Sequence, residues 1–175
     1  MRRNLLLHPA TFVWFFIFAL GCGNSGDRTP RAASVAVRDT ITICSFNIQF
    51  LGSFKKRDNT ALADILKGYD VVVVQELVAP PVDGAYPNGD AYSADDESAA
   101  FFDAMKNQGF EYLLSSEDTG TGDQIHSSGT STEWWVTFFK PSRVSPANDI
   151  PSGFLADDRS NHDDYERVPG AFALD

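Results

Sequence analysis

The chain has 175 residues, 24 acidic against 14 basic, a formal net charge of −10 and two cysteines. That balance excludes a protein gripping nucleic acid through a broad basic surface, and two cysteines exclude a disulfide-rich scaffold. A 43% hydrophobic and 13% aromatic composition excludes a mainly disordered chain, and the length suits one domain.

The first element is an address. Arg2 and Arg3 precede an apolar run from Phe12 to Leu20, the layout of a secretory leader. Crossing a bilayer as a helix takes roughly 20 apolar residues, and this run, interrupted upstream by His8 and Pro9, falls short. Ala19-Leu20-Gly21-Cys22 resembles the bacterial lipobox with its leucine one position late. It predicts export across the inner membrane, removal of residues 1–21, and lipidation of Cys22 as an anchor to the cell envelope. Ordinary secretion with cleavage nearby is the alternative. Removal of the leader takes away two arginines and no acid, so the net charge moves from −10 to −12. Residues 22–36 read as the lipidated cysteine and a flexible tether, and residues 37–175 as the folded domain. Cys44, in an apolar strand pattern, reads as a small buried residue.

Ile41 to Ile48 has the branched, alternating character of a strand, with Gly52 supplying a turn soon after. Asp58 or Asn59 can cap a helix whose apolar positions are Leu62, Ile65 and Leu66, ended by a left-handed Gly68. Val71-Val72-Val73-Val74 is a continuous apolar run, expected where both faces of a strand are covered. Prolines and glycines from Ala79 to Tyr92 predict a loop. A second helix is expected from about Ser93, with Phe101, Phe102 and Met105 on its apolar face, ending before Gly109. Tyr112-Leu113-Leu114 then reads as a strand, Ser115 to Thr132 as a mobile surface loop, and Trp134 to Phe139 as a further strand stopped by Lys140-Pro141. Trp134 and Trp135 should face opposite sides of that strand. From Asp83 to Glu133 inclusive there are eleven acids and one base, a pattern usual for a solvated face. The alternation of strands and helices predicts α/β architecture.

Two polar side chains stand at the carboxyl ends of predicted strands: Asn47 in Phe46-Asn47-Ile48-Gln49, and Glu76 in Val74-Gln75-Glu76-Leu77. Strand ends are where open sheets place ligands. One carboxylate beside an amide suffices for Mg²⁺, which keeps most of its water or takes substrate phosphate.

In order along the chain, Phe46-Asn47-Ile48-Gln49 with Gly52, Tyr69 to Glu76, Glu133 to Pro141, and Arg167-Val168-Pro169 resemble four motifs of the endonuclease/exonuclease/phosphatase superfamily, closest to its deoxyribonuclease I-like branch. The resemblance covers residues 41–175, about the first half of such a domain. It implies a two-sheet α/β sandwich, here incomplete, and a Mg²⁺-dependent phosphodiester hydrolase, with Mn²⁺ or Ca²⁺ as substitutes. By it Glu76 is the metal-binding carboxylate, Asn47 orients metal and phosphate, Glu133 holds a catalytic histidine, and Arg167 contacts phosphate. Val78 replaces a DNA-contacting arginine of that branch, and Ser131 stands near its substrate-contacting tyrosine. DNA is therefore one candidate substrate beside phospholipid or sphingolipid head groups and phosphomonoesters. The later histidine, Gly-Asp-x-Asn and Ser-Asp-His motifs do not occur, and His126 and His162 read as solvent-exposed. The chain is accordingly expected to be an amino-terminal half with no appreciable turnover alone. A non-catalytic surface lipoprotein that binds a partner is the competing reading.

Overall fold

The computed structural model describes residues 40–54, 56–121, 124–127, 132–154, 165 and 167–175. They belong to one compact unit, Arg38–Asp175. The leader, Cys22, the tether, Ser131 and His162 lie outside the described residues. Among the described residues no helix is long and apolar enough to cross a membrane.

Strand β1 (Ile43–Leu51) leads through helix α1 (Asn59–Leu66) to β2 (Val71–Leu77), which lies parallel to β1. A short hairpin, β3 (Gly84–Ala85) and β4 (Ala91–Tyr92), precedes helix α2 (Asp96–Asn107). Then come β5 (Glu111–Leu114) and β6 (Trp134–Phe139), both antiparallel to their neighbours in a four-stranded sheet of order β1-β2-β6-β5. A second two-stranded pairing joins β7 (Gly153–Phe154) to β8 (Gly170–Ala171). The fold is thus mixed α/β, as the alternation predicts.

Both helices begin where acids can cap them. The Asp58 side chain accepts from Ala61 N at 2.9 Å, and Asp95 accepts from the amides of Glu97 and Ser98 at 2.9 and 3.0 Å. The helices share one core with a single face of the sheet: Ala63, Leu66, Phe101, Phe102 and Met105 cluster with Ile48, Val72, Val74, Val136 and Phe138. Phe138 meets the Phe101 and Phe102 rings edge-on at 5.6 and 4.8 Å. Each such buried side chain stabilises the fold by roughly 1.5–3 kcal/mol. On the opposite face Val71, Phe139 and Val144 are buried, with Val73, Leu113 and Leu174 packed partly against them. The same face carries an apolar cleft of about 380 Å³ between the sheet and the Gly170–Leu174 segment. Trp134 belongs to the helix-side core while Trp135 lines this cleft, so the two do face opposite sides. Gly170 lies flat on the Trp135 ring, where a Cβ would sit 2.6 Å from Cδ1.

Several local expectations are corrected. Ile65 is 72% exposed, and Ala63 takes its place on the buried face of α1. Gly68 is not among the left-handed glycines; α1 ends on Lys67, whose N–H bonds to Ala63 O. Helix α2 starts three residues after Ser93, since Asp95 is the better cap. Cys44 is only partly buried, because β1 pairs on one side alone. The stretch read as a mobile surface loop buries Asp118 and Thr119 at its start and Thr132 at its end, held by hydrogen bonds that run to β6.

Candidate functional site

Because β1 and β2 are parallel and β6 runs against them, the ends of the first two strands and the start of the third meet at one edge of the sheet. Asn47, Glu76 and Glu133 are brought there together. Regular pleating would not suffice. Along β2 the side chains of Val72 and Val74 enter the helix-side core, and strict alternation would send Glu76 after them. Instead Glu76 adopts φ 63°, and Leu77 takes the core position. In β1 the core positions Cys44, Phe46 and Ile48 are followed by Leu51 rather than residue 50, because Gln49 and Phe50 are also left-handed, at φ 57° and 54°. The register shows the same bulges: three residues separate Asn47 from Leu51 where one separates their partners Gln75 and Leu77. Each non-glycine residue held this way costs on the order of 1–3 kcal/mol, and such strain clusters at functional sites.

The bulges aim the polar groups. Asn47 Nδ2 donates to Glu76 Oε1, and Asn47 Oδ1 accepts from Gln49 N at 2.7 Å. Glu76 Oε2 accepts from Phe50 N at 3.2 Å. Asn47 is exposed and Glu76 half-buried, so the carboxylate can be reached from solvent. Glu133 is 6% exposed; its Oε2 accepts from Glu76 N at a long 3.4 Å, and its Oε1 forms an ion pair with Arg167 Nε at 3.0 Å. Thr119 braces this second layer. Its hydroxyl accepts from Glu133 N at 3.2 Å, its N–H donates to Glu133 O at 2.7 Å, and its carbonyl accepts from Val168 N at 2.9 Å. Trp135 Nε1 donates to Val168 O at 2.8 Å, fixing the segment that carries Arg167. The four residues singled out by sequence thus form one connected chain of contacts: Asn47 to Glu76, Glu76 to Glu133, Glu133 to Arg167.

Beside them a cleft of about 350 Å³ is lined by Gly52, Val78, Tyr86, Tyr92, His126 and Trp134, among others. His126 corrects the expectation of an exposed histidine. Its side chain is 14% exposed, stacked on the Tyr86 ring at 3.6 Å, with Nε2 3.0 Å from Glu117 Oε2 and Nδ1 3.4 Å from Asn88 Nδ2. Burial, then the neighbouring Asp118 carboxylate with its hydrogen bond, pushes the Tyr86 hydroxyl up to about 12. Val78 is 7% exposed at the cleft wall, an apolar contact rather than a charge. Gly52 stands at φ +106° with its α-carbon against Ala79, where a Cβ would lie 2.6 Å from that residue's own Cβ.

The donor set fits a hard cation. Among the described residues no three His, Cys, Asp or Glu side chains converge as a metal cluster. The Glu76 carboxylate accepts from Asn47 Nδ2 and Phe50 N and has lone pairs beyond these two bonds, and Asn47 Oδ1 has a second lone pair beside the one that accepts from Gln49 N. One carboxylate, an amide oxygen and water is a mode that Mg²⁺ accepts. Sequence reasoning did not single out Thr119, the amides of Gln49 and Phe50, or the His126–Glu117 pair; no motif spacing marks them. Compared with known proteins, the chain matches no family model and no curated protein.

Proposed function

We propose that this chain carries the metal- and phosphate-binding side of a Mg²⁺-dependent phosphodiester hydrolase of the deoxyribonuclease I-like type, built on the first sheet of a two-sheet α/β sandwich. The observation that carries this reading is the pairing of Asn47 with Glu76 at the ends of two parallel strands, through backbone bulges that turn Glu76 out of the core while Leu51 and Leu77 fill it. Glu76 and Asn47 would hold the cation, which supplies charge stabilisation on the phosphate oxygens. The chain's own residues do the rest. The Gln49 and Phe50 amides fix the rotamers of Asn47 and Glu76 before any ligand arrives, so little reorganisation accompanies binding. Glu133 holds the Arg167 guanidinium, a planar donor group of the kind that suits a phosphate oxygen. His126, engaged at both ring nitrogens, is not assigned as the base that activates water.

A net charge of −10 is consistent with recognition through a cation rather than through a basic surface. The substrate class is a phosphodiester, with DNA and lipid head groups as the candidates; export and anchoring through Cys22 complete the reading. The test is a Mn²⁺ titration of the purified chain, followed by electron paramagnetic resonance, with and without dimethyl phosphate. We expect one site that Glu76→Ala removes and that dimethyl phosphate tightens in the wild type but not in Arg167→Met. Equal Mn²⁺ binding by wild type and Glu76→Ala would refute the assignment.

A further inference from the structure

Arg57 lies outside every motif, and its hydrogen bonds among the described residues run to Ile48, Gln49 and Glu97 rather than to Glu76 or Asn47. It sits between a partly exposed turn and the start of α1, half-buried, with its guanidinium turned back onto β1. Nη1 donates to the carbonyl of Ile48, and Nη2 donates to the carbonyl of Gln49 at 3.0 Å. These two carbonyls belong to the residues that the β1–β2 register skips. They are successive acceptors on a backbone bent into the left-handed region, and a planar fork of donors can satisfy both at once where an ammonium cannot do so with fixed geometry. Arg57 is itself anchored. Its N–H donates to Glu97 Oε1 at 3.3 Å, the same oxygen that accepts from Asn59 Nδ2 at 3.0 Å, so the first turn of α2 ties down the residues at the start of α1. On the far side of the same two peptide units, the N–H groups of Gln49 and Phe50 hold Asn47 Oδ1 and Glu76 Oε2.

We propose that Arg57 is a positioning residue for the Asn47–Glu76 site: it locks the Gln49–Phe50 bulge from its carbonyl side so that the amide side presents Asn47 and Glu76 in ligand-binding geometry. The inference rests on the metal-binding reading above. It extends that site by a support running from α2 through Glu97 to Arg57 and the bulge.

The test compares wild type, Arg57→Lys and Arg57→Met in the full chain by two readouts: Mn²⁺ affinity, and amide hydrogen exchange at Gln49 and Phe50. Loss of a supporting partner of this kind weakens metal binding by about 10- to 100-fold. We expect at least about tenfold weaker Mn²⁺ binding in both variants, faster exchange at the two amides, and an unchanged circular dichroism spectrum. Because Arg57→Lys keeps the positive charge, weakening there reports loss of the fork rather than of the field. Should Arg57→Met lose its cooperative melt, Arg57→Lys decides alone. Mn²⁺ affinity within twofold of wild type, or unchanged exchange at Gln49 and Phe50, would overturn the role of Arg57. A wild-type chain that binds no Mn²⁺ would overturn the metal site itself, and with it the positioning role, while faster exchange in the variants would still show Arg57 holding the bulge.

Discussion

The two ends of the β1–β2 pair are both polar, and they are built by opposite rules. At the end where β2 begins, Asp70 is 6% exposed and both of its carboxylate oxygens are engaged. Its Oδ2 accepts from Thr42 N and Oγ1, both at 2.8 Å, and its Oδ1 pairs with Arg143 Nε at 3.2 Å. Arg143 also donates to Thr40 O at 2.8 Å, and the Asp70 carbonyl accepts from Lys140 N at 2.9 Å. From there to Asn47 and Val74 the pairing is regular. About 20 Å away, at the other end, the ladder bulges, three non-glycine residues turn left-handed, and a half-buried carboxylate faces solvent. A buried carboxylate with both oxygens held by neighbouring donors is a staple. We read the accessible one on a strained backbone as a binding group, its strain offset by the regular end and the aromatic core.

The comparison predicts a double dissociation. The largest effect is expected for Glu76→Ala, with divalent-metal affinity falling by about a hundredfold or more while the melting temperature shifts little, since a ligand is lost and no core contact is. Titration calorimetry beside a thermal melt reads both; a large stability loss with retained affinity would invert the assignment of the two ends. Asp70→Ala should do the reverse, destabilising the fold by about 3 kcal/mol because Thr42 and Arg143 lose a shared acceptor, with metal affinity unchanged in whatever fraction remains folded.

That second end also has a pH signature. The backbone and side-chain bonds from Thr42, with a smaller contribution from Arg143, outweigh burial and hold the Asp70 carboxyl below its ordinary value. A depressed folded value means that the stabilisation is fully present above the unfolded value of about 4 and is lost as pH falls through the lower folded one. Melting temperatures of wild type and Asp70→Asn, followed from pH 6 to pH 2.5, should converge on the acid side; parallel curves would deny Asp70 its charge-dependent role.

Smaller effects sharpen the bulged end. Gly52→Ala should cost about 2 kcal/mol, from a left-handed backbone and from contact with Ala79, as measured by urea denaturation. Gln49→Gly should stabilise by up to about 1 kcal/mol, since glycine adopts φ 57° without penalty and the Gln49 side chain is exposed. A destabilised Gln49→Gly would mean that the bulge is not strained.

The regular end of the sheet was legible and the bulged end was not, for one physical reason. Val71 to Val74 announces a strand covered on both faces, and three of its four side chains are buried while Val73 is half-buried. Phe101, Phe102 and Met105 announce the buried face of α2, and all three are in the core. Period and hydrophobicity therefore carry the packing. They carry nothing about Gln49, Phe50 and Glu76, whose left-handed backbones are taken by residue types that do not favour them. Motif resemblance named Asn47, Glu76, Glu133 and Arg167, and the structure brings them into one chain of contacts. Pattern alone would have sent Glu76 into the helix-side core. Ile65 shows the converse limit: it has helical spacing and an apolar side chain, yet sits on the exposed face of α1. His126 was read from a sequence rich in Ser, Thr and Gly, which gives no hint that Tyr86 and Glu117 close over it.

We propose the Asn47–Glu76 end of the sheet as a divalent-cation site. Crystals of the chain grown with Mn²⁺, measured on both sides of the manganese absorption edge, test it most directly. An anomalous peak is expected within ligand distance of the Glu76 carboxylate and beside the Asn47 amide oxygen. Manganese bound elsewhere, with Glu76 still hydrogen-bonded only to Asn47 and Phe50, would contradict it.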